Sequence, residues 1–319
     1  MRNIACLLLL VAAPVAAQTA TTEKVYRLGE LASSRESLDI TRAETVPELA
    51  RLGYREGRNV VLDERVADAS AIPTVAREMA LTKPDAIIAI GAEAIDAAAG
   101  ATKTVPIITF GADPVRLGLA ASLARPGGNV TGLVILAEEL DGKRLDLLAQ
   151  VTPEAHSIAA LLHRSLSYRL PVEHSLRAIA AKRGIELHTF DVDGPEEYSA
   201  AFAAMYAAGA QALVVTGSPT FNRDAELLAR RALGMALPVM CEWAENAQSG
   251  CLLGYGPNRR AMRRRLAHYV ARIFRGTAPA DLPIETPTQF ELAINLKTAK
   301  TLGIDLPAWL LVRADWVIE

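Results

Sequence analysis

Two short loops carry residue types that can hold a ligand by backbone alone. Gly111-Ala112-Asp113-Pro114 follows the apolar run Pro106 to Phe110, and Gly217-Ser218-Pro219 follows the apolar run Ala212 to Val215. Each reads as a strand, a glycine turn, a helix-capping residue and a proline. Proline suits a first helical turn because its φ is already set and it has no amide to leave unpaired. A loop of this kind points free N–H groups outward from the carboxyl end of a strand, where a polar or anionic group can sit. Other chemistries lack their residues. No Gly-x-Gly-x-x-Gly opens a helix, and no phosphate loop with Gly-Lys-Ser/Thr occurs. No Gly-x-Ser-x-Gly elbow presents a nucleophile. The five histidines (His156, His163, His174, His188, His268) are scattered, without the spacing of a zinc site. No two carboxylates stand apart as an acid/base couple. The pattern points to binding, with no positive sign of catalysis and no cofactor.

Strands and helices must alternate to position such loops, and they do. Val25 to Leu31 reads as a strand, Ile40 to Leu52 as a helix ending at Gly53, and Val60 to Val66 as a strand. Ile72, Val75, Ala76 and Met79 form a helical stripe before Pro84; Ala86 to Ile90 is the next strand. A helix is expected to start at Asp113, and a further strand ends in a run leaving the first half at Leu133 to Leu136. The second half repeats the scheme. Its strands are Ser157 to Leu162, Glu186 to Phe190, Ala212 to Val215 and Pro238 to Cys241; its helices are Glu138 to Gln150, Val172 to Lys182, Glu197 to Ala208 and one from Pro219 to about Met235. Gly254-Tyr255-Gly256-Pro257 breaks regular structure before a long helix, Asn258 to Phe274. Met262, Leu266, Tyr269, Val270 and Ile273 are its apolar face; its arginines read as a solvated face or as a docking face for a partner protein. Pro279 to Pro287 reads as an extended crossing, Phe290 to Asn295 as a strand, and Leu310 to Ile318 as a terminal strand or tail. The fold class is α/β with doubly wound parallel sheets. The two similar loops suggest two similar lobes, each presenting a helix N-terminus to a shared cleft.

Size and charge agree. At 319 residues the chain is too long for one small core. A net charge of −2 gives no field for nucleic acid or an anionic membrane. Met1-Arg2, an apolar run from Ile4 to Ala13 and the small residues before Gln18 have the layout of a signal peptide, residues 1–17. That run is too short to span a bilayer. Cys6 lies too early within it to be a lipidation site. Cys241 and Cys251 remain, either as a disulfide in an oxidising compartment or as two buried thiols.

Several stretches in order resemble a known family: GYREGRNV, GADPVRLGLAASLARPGGNVTGL, KRLDLLAQVTPEA, CEWAENAQSGCLLGYGP and PTQFELAINLKTAKTLGIDLPAWLLVRADWVIE. They are similar to the substrate-binding proteins of ABC importers, in the group of tryptophan, tyrosine and aromatic-solute binders. The resemblance covers essentially the whole mature chain. It implies a type I periplasmic-binding-protein fold, two Rossmann-like lobes joined by three crossing segments and closed by hinge motion. The N-terminal lobe would be 25–132 plus 257–284, and the C-terminal lobe 133–256 plus 285–319. Carried over by position, the ligand loops fall on Ser33, Ser34, Gly91, Ala92, Gly111, Ala112, Asp113, Arg164, Ser165, Asp191, Gly217, Ser218 and Glu242. Arg164 would pair with a ligand carboxylate or brace Asp191. Asp113 would cap its helix more than touch ligand, its neighbouring amides being the better contacts. The sequence departs from the family at His163 to Tyr168, at Glu30 where an apolar or aromatic residue is usual, and at both late cysteines.

The resemblance therefore implies a periplasmic solute-binding protein, a monomer without membrane anchor, delivering a small organic molecule to an ABC permease. An amino acid or an aromatic carboxylate is the expected solute. A ligand sensor and a two-lobed enzyme are the alternatives.

Overall fold

Runs such as Ala86–Ile90 (AIIAI) are apolar on both faces, so they form stable strands only where helices cover a sheet on both sides. The computed structural model, which describes residues 24–135, 137–165 and 168–319, meets that condition twice. The first unit contains β1 (Tyr26–Ala32), α1 (Arg35–Arg51), β2 (Val60–Val66), α2 (Ile72–Leu81), β3 (Ala86–Ile90), α3 (Ala92–Ala101), β4 (Ile107–Gly111) and β5 (Val130–Val134). Its five strands are all parallel, in the order β2-β1-β3-β4-β5.

The second unit begins with α4 (Ala137–Val151), β6 (Ser157–His163), α5 (Arg169–Arg183), β7 (Glu186–Val192), α6 (Pro195–Ala207) and β8 (Ala212–Val215). It continues through α7 (Pro219–Arg223), α8 (Ala225–Gly234), β9 (Val239–Cys241) and β10 (Leu253–Pro257). The chain then returns to the first unit with α9 (Arg259–Phe274), which packs on α1 and places Leu266 and Val270 in one core with Ile88 and Phe110. It ends in the second unit with β11 (Phe290–Asn295), α10 (Leu296–Leu302), α11 (Ala308–Arg313) and β12 (Trp316–Ile318). The second sheet has the order β12-β11-β10-β9-β8-β6-β7, and β10 with β11 is its antiparallel pair. Three passages thus link the units, after β5, after β10 and before β11. Two of them touch: the Val134 amide donates to the Glu285 carbonyl at 3.0 Å, and the Glu285 amide to the Gly132 carbonyl at 3.0 Å. Both lobes are those of a type I periplasmic binding protein.

Several local expectations are corrected. No α-helix follows Asp113: residues 114–118 form successive turns. The Asp113 carboxylate accepts from the Val115 amide at 2.8 Å, an Asx turn that satisfies the chain locally. Gly118, at φ +69°, then takes the backbone out of helical space. The helix read as continuous from Pro219 is broken at Asp224 into α7 and α8. Gly254-Tyr255-Gly256-Pro257 belongs to a strand, and its glycines are there for close approach. A Cβ on Gly254 would lie 2.1 Å from the Trp243 carbonyl oxygen. Residues 308–313, read partly as tail, are helical. Cys241 and Cys251 are bonded, with Cα atoms 6.2 Å apart, so the choice left open by their spacing falls to the disulfide. The proposed signal peptide and Cys6 lie outside the described residues. Among the described residues no helix is long and apolar enough to cross a membrane.

Candidate functional site

The carboxyl ends of β3 and β4 face those of β8 and β9 across a cavity of about 680 Å³. The first unit lines it with Ile90, Gly91, Ala92 and Glu93, where β3 runs into α3, and with Phe110, Gly111, Ala112 and Asp113 after β4. The second unit supplies Tyr168, Ser218, Pro219, Asn222, Glu242 and Trp243. Arg259 and Arg263 enter from the first turns of α9, and Ile135 and Glu139 from the passage into α4. Three aromatic rings and charged groups of both signs, drawn from both units, therefore make up the cavity wall. Such a wall suits a ligand with an apolar ring and a polar head.

Local capping sets the geometry. Gly91 has φ +87°, which lets the chain turn directly from β3 into α3 with its amides toward the cavity end. The Ser218 hydroxyl accepts from the Thr220 amide and caps α7. The Ser218 amide donates to the Glu242 carboxylate at 3.2 Å. Burial pushes the Glu242 carboxyl above its ordinary range, with the Arg144 guanidinium opposing that shift. Arg144 itself is fully buried and fastens three elements. Its Nη1 donates to Asp141 at 2.6 Å, its Nε to the Tyr255 carbonyl at 2.8 Å and its Nη2 to the Glu242 carbonyl at 2.9 Å.

The carried-over residues divide by position. Gly91, Ala92, Gly111, Ala112, Asp113, Ser218 and Glu242 line the cavity. Ser33, Ser34, Arg164, Ser165, Asp191 and Gly217 do not, and each has another task or place. Ser34 caps α1 by accepting from the Ser37 amide, and Ser33 precedes it at the end of β1. The Gly217 carbonyl accepts from the Tyr168 hydroxyl at 3.3 Å. Ser165 donates to Asp193 at 2.6 Å. Arg164 is half-exposed and held by Asp193 and Glu197; it braces the Asp191 carbonyl at 2.8 Å, and the Asp191 carboxylate is taken by Arg169. Of the two readings of Arg164, this arrangement is the brace, made to the Asp191 backbone.

The arginines of α9 carry a correction. Arg264 and Arg265 do lie outside, paired with Glu44 and Glu285. Arg263 is 3% exposed, with its guanidinium carbon 3.8 Å from the centre of the Phe110 ring. Arg259 stacks at 5.3 Å from the Trp243 ring. A signal was present: positions 259, 263, 266, 270 and 273 share one helical face, so the two arginines extend the apolar stripe toward the helix start. Phe110, Tyr168 and Trp243 carried no loop motif and were found only by the fold. Among the described residues no cluster of His, Cys, Asp and Glu could hold a metal ion.

The two units also meet across the mouth of the cavity. Asn222 of α7 donates to Glu36 of α1 at 3.1 Å. Arg259 lies 3.6 Å from Glu245 on one side and 4.0 Å from Glu36 on the other.

Comparison with known proteins gives this cleft its setting. A tyrosine-binding protein of Clostridioides difficile (strain R20291) is 28% identical over 276 residues, 84% of this chain and 78% of that one. The ABC domain of Streptococcus pneumonia solved in complex with L-Trp is 25% identical and overlays with a TM-score of 0.85 over 92% of this chain and all of that one. A ligand-free, open substrate binding protein from Clostridium difficile, also 25% identical, overlays over 92% of this chain and 99% of that one with a TM-score of only 0.70. At equal identity the lobes thus match the liganded relative better than the open one. The model of the ABC transporter substrate binding protein family matches residues 33–318, and the chain belongs to that family.

Proposed function

We propose that this chain is a periplasmic binding protein that closes its two lobes on an aromatic amino acid and delivers it to an ABC permease. It works as an exported monomer, its first 17 residues serving as a signal peptide. The observation that carries the reading is the cavity wall, where Phe110, Tyr168 and Trp243 stand among Arg259, Arg263, Asp113 and Glu242. Aromatic rings supply area for a ring, and the mixed charges suit a zwitterionic head. The tyrosine-binding and L-Trp-bound relatives support the ligand class.

Within this reading, the loops at Gly91-Ala92, Gly111-Ala112 and Ser218 meet the polar head, and Asp113 and Glu242 complete the charge balance. Ser33, Ser34, Arg164, Ser165, Asp191 and Gly217 shape the loops behind them. Binding is a population shift: ligand favours closure through contacts with both lobes that the open cleft lacks. Contacts such as Asn222 to Glu36 belong to the closed form. The family and the relatives are substrate-binding proteins, so the protein is read as a carrier and not an enzyme.

Calorimetry and thermal shift with L-tryptophan, L-tyrosine, L-phenylalanine and L-leucine test the reading. A ligand at a hundred times its Kd should stabilise the fold by about 2.7 kcal/mol. At least one aromatic amino acid should do so, and Trp243→Ala should weaken it. Stabilisation by leucine alone, or by none of the four, would refute the ligand class.

A further inference from the structure

Among the described residues, one cation of the cavity, Arg263, has no counter-ion within ion-pair distance. Arg263 is buried and lines the cavity. Its Nη1 donates to the Thr41 hydroxyl, whose own proton goes to the Ser37 carbonyl, while Nε has no partner among the described residues. No carboxylate lies within ion-pair distance of it among those residues. Glu30, whose charge acts on Arg263, is fully buried with both oxygens unpartnered among the described residues. Arg259 is a second positive charge beside it, already flanked by Glu36 and Glu245. Burial and Arg259 together pull the Arg263 guanidinium down to about 9, against the pull of Glu30 and Glu36. A buried cation without a paired anion is costly, and proteins keep such groups where something else completes them.

We infer that Arg263 is the receptor for the ligand's carboxylate, and so the residue that makes this cleft select aromatic acids over aromatic amines. The guanidinium offers unused donors in a planar fork that matches a carboxylate. Its stacking on Phe110 fixes the plane of that fork beside the surface where the ligand ring packs. The ammonium of an amino acid then faces the carboxylates that line the remaining wall, among them Asp113 and Glu242. The inference rests on reading this cavity as the ligand site and deepens it by assigning the head group.

Three classes of probe separate the claims: L-tryptophan and L-tyrosine; tryptamine and tyramine, which lack the carboxylate; and indole-3-propionate, which lacks the ammonium. Each is titrated against the full mature chain and against Arg263→Gln. The wild type should bind the amino acids at least a hundredfold more tightly than the amines. Arg263→Gln should lose a hundredfold or more for every carboxylate-bearing probe and little for the amines. At pH 5.5, below the Glu30 transition, the unliganded variant should melt no lower than wild type, because it removes an uncompensated buried charge; that readout separates a ligand receptor from a structural arginine. Amino-acid binding unchanged in Arg263→Gln, or equal wild-type affinity for amines and acids, overturns the inference and leaves the proposed function standing. Binding of indole-3-propionate but no amino acid, lost in the variant, overturns the amino-acid reading and keeps the inference. Failure of all probes overturns both.

Discussion

Arg144 and Arg263 are both buried arginines beside the same cleft, and they are satisfied in opposite ways. Arg144, in the second lobe, bonds the Asp141 carboxylate and the carbonyls of Tyr255 and Glu242. Arg263, in the first, bonds one hydroxyl and stacks on a ring. One guanidinium has its donors used by the protein, which makes it a bracket between α4, β10 and the loop after β9. The other is left short of partners where the cavity opens. Burial is the same; partner count tells structure from ligand recognition.

Breaking the bracket should have the largest effect. Removing one member of a buried pair strands the other charge, at a cost of about 3–5 kcal/mol. Arg144→Leu should therefore lower the denaturant midpoint severely, since Asp141 is left fully buried and unpaired. The double variant Arg144→Leu/Asp141→Leu should recover much of that loss in urea titrations. A double variant no better than the single one would show that the backbone carbonyls, and not the ion pair, carry the bracket.

Around Arg263 the effect should appear in pH dependence. Burial, reinforced by the Glu64 charge, pushes the Glu30 carboxyl up from 4.5 to about 7. The folded state therefore holds this proton more tightly than the unfolded chain. Stability from this group is complete below pH 4.5 and is lost as pH rises through 7. The difference amounts to about 3 kcal/mol, at about 1.36 kcal/mol per unit. Glu30→Gln should flatten the fall in melting temperature across that window. In Arg263→Gln the window should move to higher pH, because one of the two cations that lower the Glu30 value is gone and Arg42 alone remains.

The disulfide comes next in size. It lies on the bracket's side of the cleft, tying the end of β9 to the residue before Leu252 and β10. Closing so short a loop stabilises by about 2–3 kcal/mol. Reduction, or Cys241→Ser with Cys251→Ser, should lower the melting temperature. Ligand affinity should change little, since neither cysteine lines the cavity.

What could be read from the chain follows from which signals are local. The strands were legible because AIIAI and ALVV are apolar on both faces, and the glycine loops because their turn residues are contiguous. The missing helix after Asp113 shows the limit: Asp-Pro is an equally good start for an Asx turn, and Gly118 at positive φ takes the chain out of helical space downstream. The arginines of α9 depart from a solvated face for a different reason. Arginine on a helix is usually solvated, and only packing against Phe110 and α1 shows that one of them is not. The three aromatic residues of the wall come from distant loops, so no spacing announces them. Family resemblance nominates loops by position, and it does not say which side chain in each loop turns inward.

Arg164 is the smallest effect and the clearest contrast with Arg263. By sequence it would pair with a ligand carboxylate or brace Asp191. In the fold it is half-exposed, and Asp193, Glu197 and the Asp191 carbonyl already occupy its donors. Ion pairs this exposed are screened by solvent and pay side-chain entropy for their geometry. Arg164→Ala should therefore leave the melting temperature and the affinity for an aromatic amino acid within error of wild type. The Asp193 and Glu197 carboxyls, which Ser165 and Arg164 hold below their usual range, should relax upward once Arg164 is removed. A pH titration followed by NMR would show that shift. Loss of affinity in Arg164→Ala would mean that the loop from His163 to Tyr168 delivers this guanidinium to the ligand, and that the assignment of the carboxylate to Arg263 is incomplete.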